Sequence, residues 1–237
     1  IRNKPWAKKK FEKLLGPTKD LGIKVKYIEQ SKPNGLPEAF ILGKSFIGKD
    51  SVALMLGDNF LYGSMLTPLI RNSLSMNSGA NIYLYPSKKT SSYGVVELDK
   101  NGEVKKIIEK PKFTKSNLVI TGLYAFDNNV VDYVKKIKIS KRNELEIVDL
   151  IKIYDDKKNL NLIKLGRGTA WLDVGSFDDL FSASSFVKNI EDRQNYKIGC
   201  LEEISYNNKW ITKKNILQRI SKYKNSKYSE YLKGILD

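Results

Sequence analysis

Apolar and polar positions alternate along this chain with two periods, which predicts helices and strands in turn. Ile23, Val25 and Tyr27 alternate with lysines, the pattern of a half-buried strand, whereas residues 52–56 form a continuous apolar run typical of a buried strand. Helices are expected at 5–15, 37–46, 66–75, 128–136, 144–154 and 176–193, and further strands at 81–85, 95–98, 104–108, 119–126 and 160–165. Asn101-Gly102 predicts a hairpin between two of these strands.

This order of elements predicts an α/β fold, in which a mixed, largely parallel sheet carries helices on both faces. We expect residues 1–205 to form the core and residues 206–237 to form a C-terminal helical segment packed on it. In such folds, ligand-binding and catalytic residues lie at the carboxyl ends of the strands.

Two aspartates follow apolar strands at such positions. Asp58 closes the run in Leu56-Gly57-Asp58-Asn59, and Asp173 has the same setting after Trp171-Leu172. Two carboxylates converging on one crevice suit Mg²⁺, which takes few protein oxygens and leaves its other positions to phosphates and water. The alternative is that each aspartate begins a turn or caps a helix, which is the commoner role of a lone Gly-Asp.

A second group of polar residues surrounds another strand end. Tyr93-Gly94 precedes a strand, and Glu109-Lys110-Pro111 ends the next one. The proline is expected to force Lys110 into an extended backbone, so that Glu109 can accept hydrogen bonds from sugar hydroxyls while Lys110 holds a phosphate. The alternative is a solvated surface pair.

Composition and charge argue against several classes of protein. The net charge of +16 comes from scattered lysines, with arginine at only six positions, which favours solvated faces over a nucleic-acid surface. A single cysteine, Cys200, excludes an internal disulfide, and the absence of a long apolar run or signal peptide predicts a cytoplasmic protein without a membrane partner.

Seven segments in order resemble the glucose-1-phosphate thymidylyltransferases, a family of sugar nucleotidyltransferases. They are Gln30-Ser31-Lys32-Pro33-Asn34-Gly35-Leu36, Leu56-Gly57-Asp58-Asn59, Tyr93-Gly94-Val95-Val96-Glu97, Glu109-Lys110-Pro111, Thr121-Gly122-Leu123-Tyr124, Arg142-Asn143-Glu144-Leu145-Glu146-Ile147 and Gly166-Arg167-Gly168-Thr169-Ala170-Trp171-Leu172-Asp173. The resemblance implies a three-layer αβα, Rossmann-like nucleotidyltransferase fold. It also implies Mg²⁺-dependent transfer from dTTP to glucose 1-phosphate, which gives dTDP-glucose and pyrophosphate and opens dTDP-rhamnose synthesis.

The resemblance also assigns roles to residues. Asp58 and Asp173 would hold Mg²⁺, Lys110 the sugar phosphate, and Arg142 would add positive charge, which makes Lys110, Asp58 and Arg142 the expected catalytic residues. The thymine would contact Gln30, Pro33 and Gly35, and the glucose pocket would be lined by Tyr93, Gly94, Glu109, Ile120 and Tyr124. The family further implies a homotetramer.

One departure from the family is large. Its N-terminal strand and glycine-rich loop do not occur in this sequence, and Gly166-Arg167-Gly168-Thr169 is no substitute because it leads into a strand. We therefore expect an N-terminal βα unit to be missing and these 237 residues alone to be inactive. Two alternatives stay open, a non-catalytic sugar-nucleotide-binding relic or sensor and a basic nucleic-acid-binding protein. Smaller departures are Val174 and Ser176, where the family usually has threonine, and Asn143, where it has glycine.

Overall fold

A computed structural model describes residues 5–16, 18–75 and 78–236, with only the backbone for residues 5–7. Its helices are α1 (Pro5–Leu15), α2 (Glu38–Leu42), α3 (Lys44–Ile47), α4 (Leu66–Leu74), α5 (Val130–Tyr133), α6 (Ile147–Asp156), α7 (Phe177–Gln194), α8 (Leu201–Asn207), α9 (Lys213–Lys222) and α10 (Lys227–Gly234). Its strands are β1 (Val52–Met55), β2 (Asn59–Tyr62), β3 (Ala80–Pro86), β4 (Gly94–Leu98), β5 (Val104–Glu109), β6 (Leu118–Phe126), β7 (Leu160–Lys164) and β8 (Ala170–Asp173). Short 3-10 helices cover Thr18–Leu21, Thr90–Ser92 and Val134–Lys136.

The main sheet has the order β5-β4-β6-β3-β7, and β1 also pairs with β6. The mixed α/β class is confirmed, but the expectation of a largely parallel sheet is wrong for the described strands. Only β3 and β7 run parallel, because the long central strand β6 is antiparallel to β1, β3 and β4. The predicted Asn101-Gly102 turn makes β4 and β5 a hairpin, with Gly102 at φ 83°.

Helices cover both faces of this sheet, as neighbouring residues of β3 show. Ile82 and Leu84 belong to a buried cluster that includes residues of α5 and α6, whereas Tyr83 belongs to a second cluster with Leu66 at the start of α4. Since successive strand residues point to opposite faces, the two clusters lie on opposite sides of the sheet. The three-layer arrangement is therefore confirmed.

Several predicted elements differ in detail. The strand expected around Val25 is wrong, because residues 23–30 adopt no regular secondary structure, although Val25 and Tyr27 are half-buried as the alternation implies. A period of two identifies buried positions but does not supply a partner strand. The helix expected at 37–46 is split into α2 and α3 at Gly43, and the helix expected from residue 144 begins at Ile147.

Two compact units make up the chain. The first contains Gln30–Leu180, and the second contains the described part of residues 5–29 together with residues 181–236. The second unit has its own core around Cys200, Ile211, Ile216 and Leu232. None of the helices in the described part of the chain combines the length and apolar character that crossing a membrane requires.

Candidate active site

One cavity of about 550 Å³ in the first unit collects most of the residues expected to be functional. Nine of them line it: Asp58, Tyr93, Gly94, Glu109, Lys110, Ile120, Tyr124, Arg142 and Asp173. The lining also contains six polar or aromatic residues to which the sequence analysis gave no role: Asn59, Ser92, Thr121, Glu144, Glu146 and Trp171. Gln30, Pro33 and Gly35 are not part of it.

The two aspartates are brought together by a small antiparallel sheet formed by β2 and β8. Its register sets Asn59 opposite Asp173, and the carbonyl oxygen of Asp58 accepts a hydrogen bond of 2.6 Å from the Val174 amide. Strand β2 was missed in the sequence, although the apolar run Phe60-Leu61-Tyr62 directly after Asp58-Asn59 was a signal for it. The pairing places both carboxylates at the same edge of the cavity.

The carboxylate of Asp173 has a fixed neighbour in Tyr93. The Tyr93 hydroxyl donates to Oδ2 of Asp173 at 2.9 Å. Burial raises the pKa of Asp173 and the charge of Asp58 raises it further, against the lowering effect of this hydrogen bond. Burial also raises the pKa of Tyr93, so its hydroxyl keeps the proton that it donates.

The donor set fits a hard divalent cation. Two carboxylates whose charges repel one another favour a cation between them, and Mg²⁺ accepts one or two protein carboxylates when phosphates and water complete its shell. Within the described ranges, no group of three or more His, Cys, Asp or Glu residues is arranged to hold a metal ion. A cation at Asp58 and Asp173 would therefore depend on a bound phosphate for its remaining ligands.

Lys110 has a strained backbone. Its φ is 44°, in the left-handed region, so the expectation of an extended conformation before Pro111 is wrong. The Lys110 amide still donates to the carbonyl of Tyr93 at 3.0 Å, which extends the β4–β5 ladder by one bond while the chain turns at the cavity. A non-glycine residue in this region costs about 1–2 kcal/mol, and such strain is concentrated at functional sites.

Arg142 lies among three glutamates. Its guanidinium nitrogens are 3.5 Å from Glu109 Oε1, 3.2 Å from Glu144 Oε2 and 3.5 Å from Glu146 Oε1. Burial lowers the pKa of Arg142, but the carboxylates, led by Glu146, outweigh it and the net shift is upward. The next residue, Asn143, has φ 62°, a conformation that asparagine tolerates, which explains how it can stand where the family has glycine.

Strands β4 and β6 contribute Gly94, Ile120 and Tyr124 to the cavity lining. Gly94 lies opposite Glu109 in the β4–β5 ladder, and a Cβ at Gly94 would come within 3.0 Å of the Val148 side chain and 3.2 Å of Ile120 Cδ1. Tyr124 is buried, as is Ile120. The absence of a side chain at Gly94 thus lets Val148 and Ile120 close around the space beside Glu109.

Hydrogen bonds and a β-bridge hold the segment from Gln30 to Gly35 next to the cavity. The Gln30 amide nitrogen donates to the Gly35 carbonyl at 3.1 Å and to Glu38 Oε2 at 2.5 Å. Gly35 forms a parallel bridge with Leu145, and a Cβ at Gly35 would lie 2.1 Å from the Leu145 carbonyl oxygen. Because Leu145 itself lines the cavity, this segment borders it without entering it.

Comparisons with known proteins point to one family. The family model described as nucleotidyl transferase matches residues 3–190. A glucose-1-phosphate thymidylyltransferase of Neisseria gonorrhoeae is 42% identical over 94% of this chain and 77% of its own length. One of Mycobacterium tuberculosis is 40% identical over 96% of this chain and 78% of its own length.

Comparison with solved structures points to the same family. A Bacillus anthracis protein described as a glucose-1-phosphate thymidylyltransferase superimposes with a TM-score of 0.67 at 29% identity, over 75% of this chain and 71% of that one. A UDP-glucose pyrophosphorylase complexed with UDP-glucose has a TM-score of 0.58 at 23% identity, over 69% of this chain and 66% of that one, and shares the fold alone.

The backbone of Lys110 generates a first prediction. Lys110→Gly and Lys110→Ala both remove the ammonium group, but only alanine keeps a Cβ at positive φ. The free energy of unfolding, measured in urea, should therefore be ~1 kcal/mol higher for Lys110→Gly than for Lys110→Ala. Equal stability of the two variants would show that the left-handed backbone at Lys110 carries no strain.

The environment of Glu109 generates a second prediction. Burial raises the pKa of Glu109 above its ordinary value and the charge of Glu146 adds to this, while Lys110 and Arg142 oppose it. The folded state therefore holds the Glu109 proton to a higher pH than the unfolded state does, and ionised Glu109 costs stability. Glu109→Gln should raise the melting temperature at pH 7, and this advantage should shrink as the pH falls towards the ordinary pKa.

The matched control for that experiment is Glu103→Gln, which changes an exposed glutamate in the β4–β5 turn. Its melting temperature should follow that of the parent at every pH. Calorimetry that finds Glu109→Gln less stable than the parent at pH 7, or a difference independent of pH, would contradict the assignment of a raised pKa to Glu109.

Proposed function

The chain belongs to the nucleotidyl transferase family, and we propose that it transfers a thymidylyl group from dTTP to glucose 1-phosphate, giving dTDP-glucose and pyrophosphate. The observation that carries this is the single cavity in which Asp58, Asp173, Lys110 and Arg142 lie beside polar side chains suited to a sugar. The relatives named as glucose-1-phosphate thymidylyltransferases match it over most of its length.

The sugar phosphate is proposed to lie between Lys110 and Arg142. Lys110 would supply a point charge to the phosphate, and Arg142 would exchange part of its contact with the glutamates for a phosphate oxygen. Glu109, released from one ion-pair partner, would then accept a hydrogen bond from a glucose hydroxyl. Gly94, Ile120 and Tyr124 would bound the sugar ring.

The reaction requires no general base. A sugar phosphate has a second pKa of about 6, so its oxygen is already an anion at neutral pH and can attack the α-phosphorus of dTTP directly. The chain contains no histidine, which is compatible with such a reaction. Catalysis then depends on in-line positioning and on offsetting the charge of the α-phosphate.

Asp58 and Asp173 are the residues proposed to hold the divalent cation, taken to be Mg²⁺. When bound, the ion would offset charge on the phosphates and fix their orientation. The two aspartates would contribute one edge of its oxygen shell, and the hydrogen bond from Tyr93 would hold Asp173 in place.

Gln30 is proposed to select the base. Because its Nε2 is held by the Gly35 carbonyl and by Glu38, it is the Oε1 of Gln30 that would face a ligand as an acceptor. Thymine and uracil carry a donor at N3, whereas cytosine has an acceptor there. Pro33 and Gly35 would border the same base. A homotetramer, which rests on the family resemblance, and a cytoplasmic location, which rests on the sequence, complete the proposal.

The two rival functions are less well supported. A nucleic-acid-binding protein would not need a cavity lined by five carboxylates and two cations. A non-catalytic relic would bind dTTP and glucose 1-phosphate without releasing pyrophosphate, so a turnover assay separates it from an enzyme.

The test uses a protein in which the family's N-terminal βα unit precedes residues 1–237, because these residues alone are expected to be inactive. It measures pyrophosphate release from dTTP and glucose 1-phosphate with Mg²⁺ and identifies the product by mass spectrometry. We expect dTDP-glucose as the product, turnover with UTP, and little turnover with CTP.

Asp58→Asn should lower turnover by about 10²–10³-fold, because it removes charge stabilisation at the transferring phosphate. Asp156→Asn, at an exposed position in α6, should match the parent. Binding of both substrates without pyrophosphate release would favour the relic.

A further inference from the structure

Asn59 has an amide orientation that its surroundings determine. Its Oδ1 accepts a hydrogen bond of 2.9 Å from the backbone N–H of Gly122 and one of 2.6 Å from Nε1 of Trp171. A backbone amide and an indole N–H can only donate, so the atom that both of them meet must be the oxygen. The two bonds thereby fix which way the Asn59 amide points.

The fixed orientation of the Asn59 amide determines a hydrogen bond to Asp58. With its oxygen engaged, Asn59 directs Nδ2 at the neighbouring carboxylate and donates to Oδ1 of Asp58 at 3.0 Å. Trp171 also packs edge to face against Tyr93 with 5.0 Å between ring centroids, and Tyr93 donates to Asp173. Each aspartate is therefore held by one donor, and Trp171 contacts both donors.

Gly122 of β6 anchors this arrangement to the main sheet. A Cβ at Gly122 would lie 2.5 Å from Cγ of Asn59, so only glycine leaves room for the amide. The Gly122 carbonyl in turn accepts from the Leu56 amide at 2.8 Å, two residues before Asp58. The central strand thus fixes the chain on both sides of Asp58.

We propose that Asn59 is a positioning residue for the divalent cation, because it holds one oxygen of Asp58 and so orients the other towards the ion shared with Asp173. This inference rests on the proposed function in one respect, that Asp58 and Asp173 are the carboxylates that hold the cation. Partners of metal ligands usually tune affinity by about 10–100-fold.

The experiment measures the dissociation constant of Mn²⁺ by electron paramagnetic resonance, with saturating dTDP-glucose present to supply phosphate ligands, for the parent, Asn59→Ala, Asp58→Asn and Asn161→Ala. Asn59→Ala should bind Mn²⁺ about 10–100-fold more weakly, and excess Mn²⁺ should restore its turnover. Asp58→Asn should lose the site. Asn161→Ala, which changes an exposed asparagine of β7, should bind as the parent does.

The Mn²⁺ affinities of the Asn59 and Asp58 variants separate failure of this inference from failure of the proposed cation site. Folded Asn59→Ala with a Mn²⁺ affinity within twofold of the parent, while Asp58→Asn binds weakly, would overturn the inference and leave the proposed function intact. Parent-like affinity in Asp58→Asn would instead overturn the proposed cation site. If Asn59→Ala does not fold, Trp171→Phe removes one of the two donors that orient Asn59 and keeps an aromatic ring to pack against Tyr93. Weaker Mn²⁺ binding by that variant supports the inference, and unchanged binding overturns it.

Discussion

The antiparallel pairing of β2 with β8 sets Asn59 opposite Asp173, and the geometry of the cavity depends on that register. A slip of one residue would turn every side chain of the strand to its other face. The hydrogen bond from Gly122 to Asn59 ties this small sheet to β6, the strand at the centre of the large one. A backbone contact in the core thereby controls where two carboxylates lie at the surface of a cavity.

The charge balance of the cavity is a reason to propose a cation there. Five carboxylates line it against the two cationic side chains of Lys110 and Arg142, and Arg142 is already surrounded by three of those carboxylates. A phosphorylated sugar and a nucleoside triphosphate would add more negative charge. A divalent ion at the aspartates would offset that charge at the point where phosphoryl transfer concentrates it.

Sequence patterns predicted which residues meet at the cavity better than they predicted its backbone geometry. Asp58 and Asp173 were identified because they follow apolar strands, and Lys110 because it lies at the end of a strand; the structure brings all three to one cavity. The left-handed backbone of Lys110 was not foreseen, because a residue before proline ordinarily prefers an extended backbone. Sheet direction was misjudged for a related reason: apolar runs show burial, but whether neighbours run parallel depends on pairings distant in sequence.

The most direct test of this account is a crystal structure with Mn²⁺ and dTDP-glucose, in which anomalous scattering locates the metal. We predict a peak in contact with carboxylate oxygens of Asp58 and Asp173, with a diphosphate oxygen as a further ligand and the sugar phosphate next to Lys110. A peak among Glu109, Glu144 and Glu146, or a nucleotide bound outside this cavity, would contradict the account.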